Sequence, residues 1–388
     1  MKIKMKYKEC MIHLIIFIMY GTLLYFSTPL RYLDYILVPL LTITLLVRYG
    51  LVVLKNPFAC IIILSESWIF LSTALNGNIT KENIFRVCSI VSLVIIFSGT
   101  KDIDIIVNSL KNVFLLVSIV DMISVLYSIF VQKVQTSSIG WLGHKNYHVI
   151  IYIMAIGFLD YCQSQSRKRG KRNYKYYAFI CISLIMSIVL RSATSIVALI
   201  VFLFITNFLQ NKKVTWLNLY TVLALDVVVF YFVVYKQYVG MLLNYLLTML
   251  GRNPGFTGRS LMWSTTFLEM KNMPFYGYGE NFQVFFKNMW SETLSNHEHN
   301  YLLHVMVSGG WIYILMMLII YLYAASCLKK KESYYLSRIL LSIIIAYLII
   351  GQAEILVNIN NMLLPLLFMT SKIANDNGNK IVDGREDG

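Results

Sequence analysis

Apolar runs long enough to cross a hydrocarbon core of ~30 Å recur from one end of this chain to the other, and nothing else limits the fold as strongly. Of its 388 residues 58% are hydrophobic and only 14% charged, with a mean hydropathy of +0.65. A water-soluble domain of this size cannot hide that much apolar surface, so lipid is the expected solvent. The expectation is an all-α, polytopic integral membrane protein of about twelve transmembrane helices. The spans fall near residues 11–27, 32–48, 57–75, 84–100, 113–131, 147–160, 175–190, 193–209, 215–235, 300–326, 336–350 and 353–370.

The opening MKIKMKYKEC precedes an apolar run that continues through Tyr20, Tyr25 and Phe26 to Pro29 without a small-residue cleavage site. It reads as a first anchor helix that is kept. With that end on the inside, most of the 34 lysines and arginines fall on cytoplasmic segments, SRKRGKRNYK (166–175) most conspicuously, as the positive-inside rule requires. The net charge of +15 is therefore a topological signal, and nucleic acid is not an expected partner. Both chain ends are expected in the cytoplasm of a bacterial cell. The cysteines fall within spans or on the inner side, so no structural disulfide is expected.

The chain divides into a nine-span region (1–235), an extracytoplasmic loop (236–299), a three-span region (300–370) and a polar, glycine-rich cytoplasmic tail (371–388) with the composition of disorder. A loop as long as 236–299 carries function or helices of its own. YVGMLLNYLLTMLG (238–251) is apolar nearly all round and should lie at the interface. SLMWSTTFLEMKNM (260–273) reads as a helix stopped by Pro274, before the turn-forming GYG of 277–279.

Three pieces of this loop carry chemistry: GRNPGFTGRSLMW, PFYGYGENF and HEHNYLLHVMVSGGW. The first is a glycine-flexed turn feeding a helix that Thr257 or Ser260 can cap. Arg259 belongs to its first turn, with Arg252 a little earlier. A helix N-terminus with guanidinium beside it suits phosphate, although surface arginines are also commonly just solvated by water or head groups. His299 opens the tenth span, where an imidazole can accept a proton from a sugar hydroxyl. His297 is close enough to compete for that role. His144 and His148 have metal-ligand spacing on a helix, but no carboxylate or cysteine accompanies them, so no metal is expected. Glu66, Asp34, Asp121 and Asp226 lie in or at the ends of spans and read as scattered rather than clustered.

The ordered set of TGRS, PFYGYGENF and HNYLL, placed between two late spans, resembles the O-antigen ligase and polysaccharide polymerase superfamily over about residues 140–370. WLGHKNYH (141–148) looks like that family's segment before a mid-chain span. The resemblance implies a metal-independent, cofactor-free, inverting glycosyltransferase on the outer face of the cytoplasmic membrane. Its donor would be an undecaprenyl-diphosphate-linked oligosaccharide. Carried over, Arg259 binds the donor diphosphate, His299 is the base and Asn300 orients that histidine. Gly258 belongs to the same TGRS turn, and His297 and Glu354, an acidic position opening the last span, are further substrate-binding candidates. The family's second arginine has no direct counterpart in LRSATSIVALIV, where Thr194 holds its place. Arg191 lies three residues earlier, nearly one helical turn, and is the favoured second diphosphate contact, with Arg252 its rival.

Under this resemblance the chain polymerises repeat units into capsule, exopolysaccharide or O-antigen. The growing polysaccharide and the lipid bilayer are then partners, and a chain-length regulator and flippase are candidate ones. A ligase of the same superfamily, moving a finished glycan to lipid or protein, is the alternative. A lipid-linked oligosaccharide flippase or solute transporter is a third reading, requiring internal symmetry, broken helices and clustered intramembrane charge.

Overall fold

A computed structural model of the chain describes residues 5–23, 28–133, 140, 142, 145–165, 172–208, 216–238, 259–272, 275–280, 299–331, 334–353 and 359–375. No strand occurs among these residues. The helices are α1 (Tyr7–Leu23), α2 (Thr28–Leu54), α3 (Pro57–Leu75), α4 (Lys81–Gly99), α5 (Ile103–Phe130), α6 (His148–Gln165), α7 (Tyr174–Val189), α8 (Ala193–Phe208), α9 (Leu219–Val229, continued by a π turn Phe230–Tyr235), α10 (Arg259–Glu269), α11 (Tyr301–Lys330), α12 (Tyr335–Ala353) and α13 (Ile359–Asn375). Five are long and apolar enough to cross a membrane: Ile36–Leu54, Pro57–Leu75, Ile103–Phe130, Tyr301–Lys330 and Tyr335–Gln352. Shorter apolar helices include Asn83–Gly99, Tyr174–Val189, Ala193–Phe208, Leu219–Tyr235 and Leu363–Ala374.

Side-chain caps set where these helices begin. Asn56 accepts from the N–H groups of Phe58 and Ala59 at 3.0 and 3.3 Å, and Pro57 follows where its missing donor costs nothing. Asp102 starts α5 in the same way, which carries the helix ten residues ahead of the expected 113–131. Asn108 and Lys111 remain helical because their polar groups find each other and the Asp104 carbonyl.

α6 is buried almost all round, as are the middles of α4, α12 and α13. Around them α2 lies on α4, α5 on α6, α8 on α12, and α11 against both α3 and α13. The outer helices turn apolar side chains outward: Ile36, Leu40, Ile43, Val47 and Leu51 repeat along one exposed stripe of α2. Such a stripe at helical spacing on the outside of a bundle is a lipid-facing surface rather than a soluble one.

The connection between α6 and α7 is tied by charge. Arg172 holds Asp160 with two bonds, Nε to Oδ1 at 2.9 Å and Nη2 to Oδ2 at 2.8 Å, and Tyr335 donates to the same carboxylate at 2.7 Å. Burial works against the Arg172 charge, yet its pKa is raised because the Asp160 carboxylate outweighs that penalty.

Candidate active site

α10 and the start of α11 meet in a small hydrophobic cluster. Met262 and Trp263 from α10, Val234 from the π turn, and Leu303 and Val307 from α11 are its buried members. Trp263 is 1% exposed. Gln237 pins the N-terminal half of α10 through Nε2, donating to the Ser260 carbonyl at 2.8 Å and to Ser264 Oγ at 2.6 Å. Arg259 is the first residue of this helix and is half-buried. Ser260 therefore lies inside the helix and is not its cap. Thr257, the other capping candidate, lies outside the described residues.

Asn300 caps α11, its Oδ1 accepting from Leu303 N–H at 3.0 Å. Its Nδ2 donates to the carbonyl and Oε1 of Gln352 at 3.2 and 3.1 Å, and Gln352 Nε2 reaches Asp226 Oδ1 at 2.8 Å. Oδ1 thus caps α11 itself, while Nδ2 ties α11 to α12 and, through Gln352, to α9. What Asn300 fixes is the backbone, leaving His299 half-buried directly ahead of the helix with φ 49°.

Between Arg259 and His299 the chain makes a second entry into the bundle. Phe275–Glu280 docks where α11 is broken: Gly310 has φ 63° and ψ −160°, outside any helix. The break strands backbone groups that lipid could not satisfy, and the turn takes them up. Tyr278 N–H donates to the Val307 carbonyl at 2.9 Å, Gly279 N–H to Ser308 at 2.8 Å, and Trp311 N–H to Phe275 at 3.2 Å. α3 completes the set, with Trp68 Nε1 on the Gly309 carbonyl at 2.9 Å and Ser72 Oγ on Tyr276 and Ser308 carbonyls at 2.6 and 3.0 Å. Tyr278 OH also reaches the Glu269 carbonyl at the end of α10, at 3.2 Å.

Only glycine fits the crossing point. A Cβ on Gly277 would lie 2.5 Å from Gly310 N, and one on Gly310 would run into the Phe275 carbonyl. Gly310→Ala is therefore expected to undock the turn, at a backbone cost of about 1–3 kcal/mol before the clash is counted. Thermal unfolding in detergent should shift down and protease should cut the α10–α11 connection sooner. Gly50→Ala, whose Cβ would meet only Leu46 Cδ2 at 4.0 Å, is the neutral comparison.

The turn ends on a buried charge cluster. Arg86 of α4 places Nε and Nη2 3.2 and 2.9 Å from Glu66 Oε2 and pairs through Nη1 with Glu280. Tyr313 OH donates to Glu66 Oε1 at 3.1 Å, and Asn83 Nδ2 to Glu280 Oε2 at 2.6 Å. Glu280 N–H is itself received by Thr73 Oγ1 at 3.0 Å. Arg86 is 8% exposed and Glu66 0%, so removing one partner would cost about 3–5 kcal/mol. The reading of Glu66 as one of several scattered acids is corrected here. Its partners come from residues 20 and over 200 positions away, a distance over which sequence spacing carries no information. A broken helix and gathered charge are also features expected of a carrier, but both are bound up here in holding the turn.

Arg191 lies in the turn between α7 and α8. α7 ends at Val189, Leu190 caps it, and Arg191 is exposed with φ 49°. Ser192 Oγ then accepts from Ser195 N–H at 3.2 Å as α8 begins. Arg191 is in a turn rather than one helical turn before Thr194, so the argument that it shares a helix face with that position does not hold. Lys145 Nζ lies 3.5 Å from its carbonyl. No hydrogen bond or ion pair among the described residues joins Arg191 to α10 or α11. Arg252, Gly258, His297 and Glu354 lie outside the described residues.

His148 also differs from expectation. Its Nδ1 lies 2.7 Å from Asp121 Oδ2, and Tyr152 OH donates to the same oxygen at 2.8 Å. A carboxylate does accompany this histidine, supplied by α5. Both groups are fully buried.

Residues 177–318 match a family model whose description is O-antigen ligase. The stretch runs from α7 to the middle of α11 and takes in Arg191, α10 with Arg259, the docked turn, His299 and the break at Gly310. It lies wholly within the 140–370 region over which the motifs suggest the resemblance. No curated protein matches the chain.

Proposed function

We propose, from the match of residues 177–318 to the O-antigen ligase family, that this protein joins undecaprenyl-diphosphate-linked oligosaccharides into a surface polysaccharide. In this reading the chain crosses the bacterial cytoplasmic membrane twelve times, with both ends in the cytoplasm and the α9–α11 connection outside. The observation that carries it is the shared cluster of Met262, Trp263, Leu303 and Val307. It brings the helix led by Arg259 alongside the helix that His299 precedes.

The chemistry follows from that pairing. Arg259, at the N-terminus of α10, binds the donor diphosphate by charge and by its two-pronged geometry. His299 takes the proton of the acceptor hydroxyl as that oxygen attacks the anomeric carbon. The bond from that carbon to the diphosphate oxygen breaks, the anomeric centre inverts, and undecaprenyl diphosphate leaves. Arg191 or Arg252 supplies a second contact to the diphosphate. No step uses a metal or a cofactor.

The test is a transfer assay with purified protein in liposomes carrying undecaprenyl-diphosphate-linked repeat units. A ladder of polymer is expected, unchanged by chelator. Strict dependence on added divalent ion would overturn the mechanism. The family description names ligases, so ligation is the second reading. A single addition to a lipid or protein acceptor, with no ladder from donor alone, would select it.

A further inference from the structure

We propose that Arg86 and Glu280 are positioning residues for glycan transfer: their buried ion pair latches the Phe275–Glu280 turn onto the bundle and thereby sets Arg259 against His299. The inference rests on the transfer reading above, but the latch is argued from geometry alone.

The turn lies between the two functional residues in the chain and is bonded to the helices of both. Toward α10, Tyr278 OH holds the Glu269 carbonyl at 3.2 Å. Toward α11, the backbone bonds at Val307, Ser308 and Trp311 fix it across the break. Gln237 and the cluster around Trp263 hold the first half of α10, and Tyr278 fixes its C-terminal end to the turn. Tyr278 in turn depends on the anchor two residues later. Glu280 makes three attachments to the bundle there: to Arg86, to Asn83 and, through its own N–H, to Thr73. α3 and α4 both contribute, so the latch fastens the connection to helices remote from it in sequence.

The charges make the two partners unequal. Arg86 faces both Glu66 and Glu280. Without Glu280 it keeps a neutral pair with Glu66. Without Arg86 two carboxylates are left facing each other in a dry site, which is far more costly. Arg86→Gln should therefore release the turn completely and Glu280→Gln only partly. Arg86→Lys, which keeps the charge but not the fork that engages both carboxylates, should fall between them.

Two measurements on the full-length protein test this. The first is the split between kcat and the donor KM in liposomes with undecaprenyl-diphosphate-linked repeat units. A misplacement of about 1 Å between reacting groups costs on the order of 10²-fold in rate. Glu280→Gln should therefore lose kcat on that scale, with donor KM unchanged because Arg259 remains. Arg86→Gln should lose more, and Arg86→Lys should recover part of that loss. The second is reaction of Ser72→Cys with a membrane-impermeant maleimide applied to intact cells. Ser72 is fully buried beneath Tyr276, so the cysteine should stay unlabelled on its own and label when Glu280→Gln or Arg86→Gln is added.

Labelling together with a kcat loss supports the proposal. Labelling without loss of kcat shows that the turn opens with no effect on the reaction, and overturns the positioning role. A kcat loss with Ser72→Cys still silent overturns the latch. A parent protein inactive in the assay, with labelling confined to the two latch variants, refutes the transfer reading and leaves the latch standing. Glu280→Gln retains the Arg86–Glu66 pair and so tests the proposal even if Arg86→Gln fails to reach the membrane.

Discussion

Arg259→Ala is expected to lower glycan transfer by ~10²–10⁴-fold while the protein accumulates in the membrane at its normal level. A bond between ionised partners contributes about 1.5–3 kcal/mol. A guanidinium gripping phosphate oxygens with two such bonds therefore loses about 3–6 kcal/mol when truncated, which is the stated range in rate. Folding should be spared because α10 is fastened by Trp263, Met262 and the Gln237 bonds, none of which the substitution touches. Arg259→Lys should recover little, because an ammonium restores the charge but not the planar fork. Polymer length and yield on a gel read the activity, and an immunoblot of membranes reads the level. Full activity of Arg259→Ala would reduce the residue to surface decoration and leave α10 without a chemical role.

The features legible in the sequence are those encoded over one or two turns of chain. Apolar runs announced the helices, and Pro274 with the glycines that follow at 277 and 279 announced the end of α10, which the structure places at Glu269 with a short 3-10 turn to Asn272. HNYLL marked the start of α11, and the asparagine three residues before Leu303 was a readable N-cap signal, pointing to a structural duty for Asn300. The site's supporting frame was not legible, because it is made of pairs far apart in the chain. Arg86 and Glu280 are brought together only when α3, α4 and α11 pack. The SGG of 308–310 gave no warning either, since glycine inside an apolar helix is ordinarily tolerated at a small cost. That Gly310 breaks the helix follows from the turn wedged against it. The spans ending at 190 and restarting at 193 already put Arg191 between two helices; what the sequence did not carry is its left-handed backbone, which takes it off the face it was expected to share with Thr194.

His299→Ala is expected to abolish detectable polymer in cells, since removing a general base costs ~10²–10⁴ in rate, while donor binding through the arginine survives. The backbone adds a second effect that must be separated from the first. His299 has φ 49°, a left-handed conformation that alanine adopts at a cost of roughly 1–2 kcal/mol and that asparagine tolerates far better. His299→Asn therefore keeps the local geometry and removes only the imidazole. If the imidazole takes the acceptor's proton, both variants should be equally inactive, and only His299→Ala should show lowered thermal stability in detergent. If the residue matters only for holding the chain ahead of Asn300, His299→Asn should retain polymer. His297→Ala should be milder than either, because His299 is the histidine that directly precedes Asn300 in the HNYLL motif. Normal polymer from His299→Ala, with His297→Ala inactive, would transfer the role of base to His297.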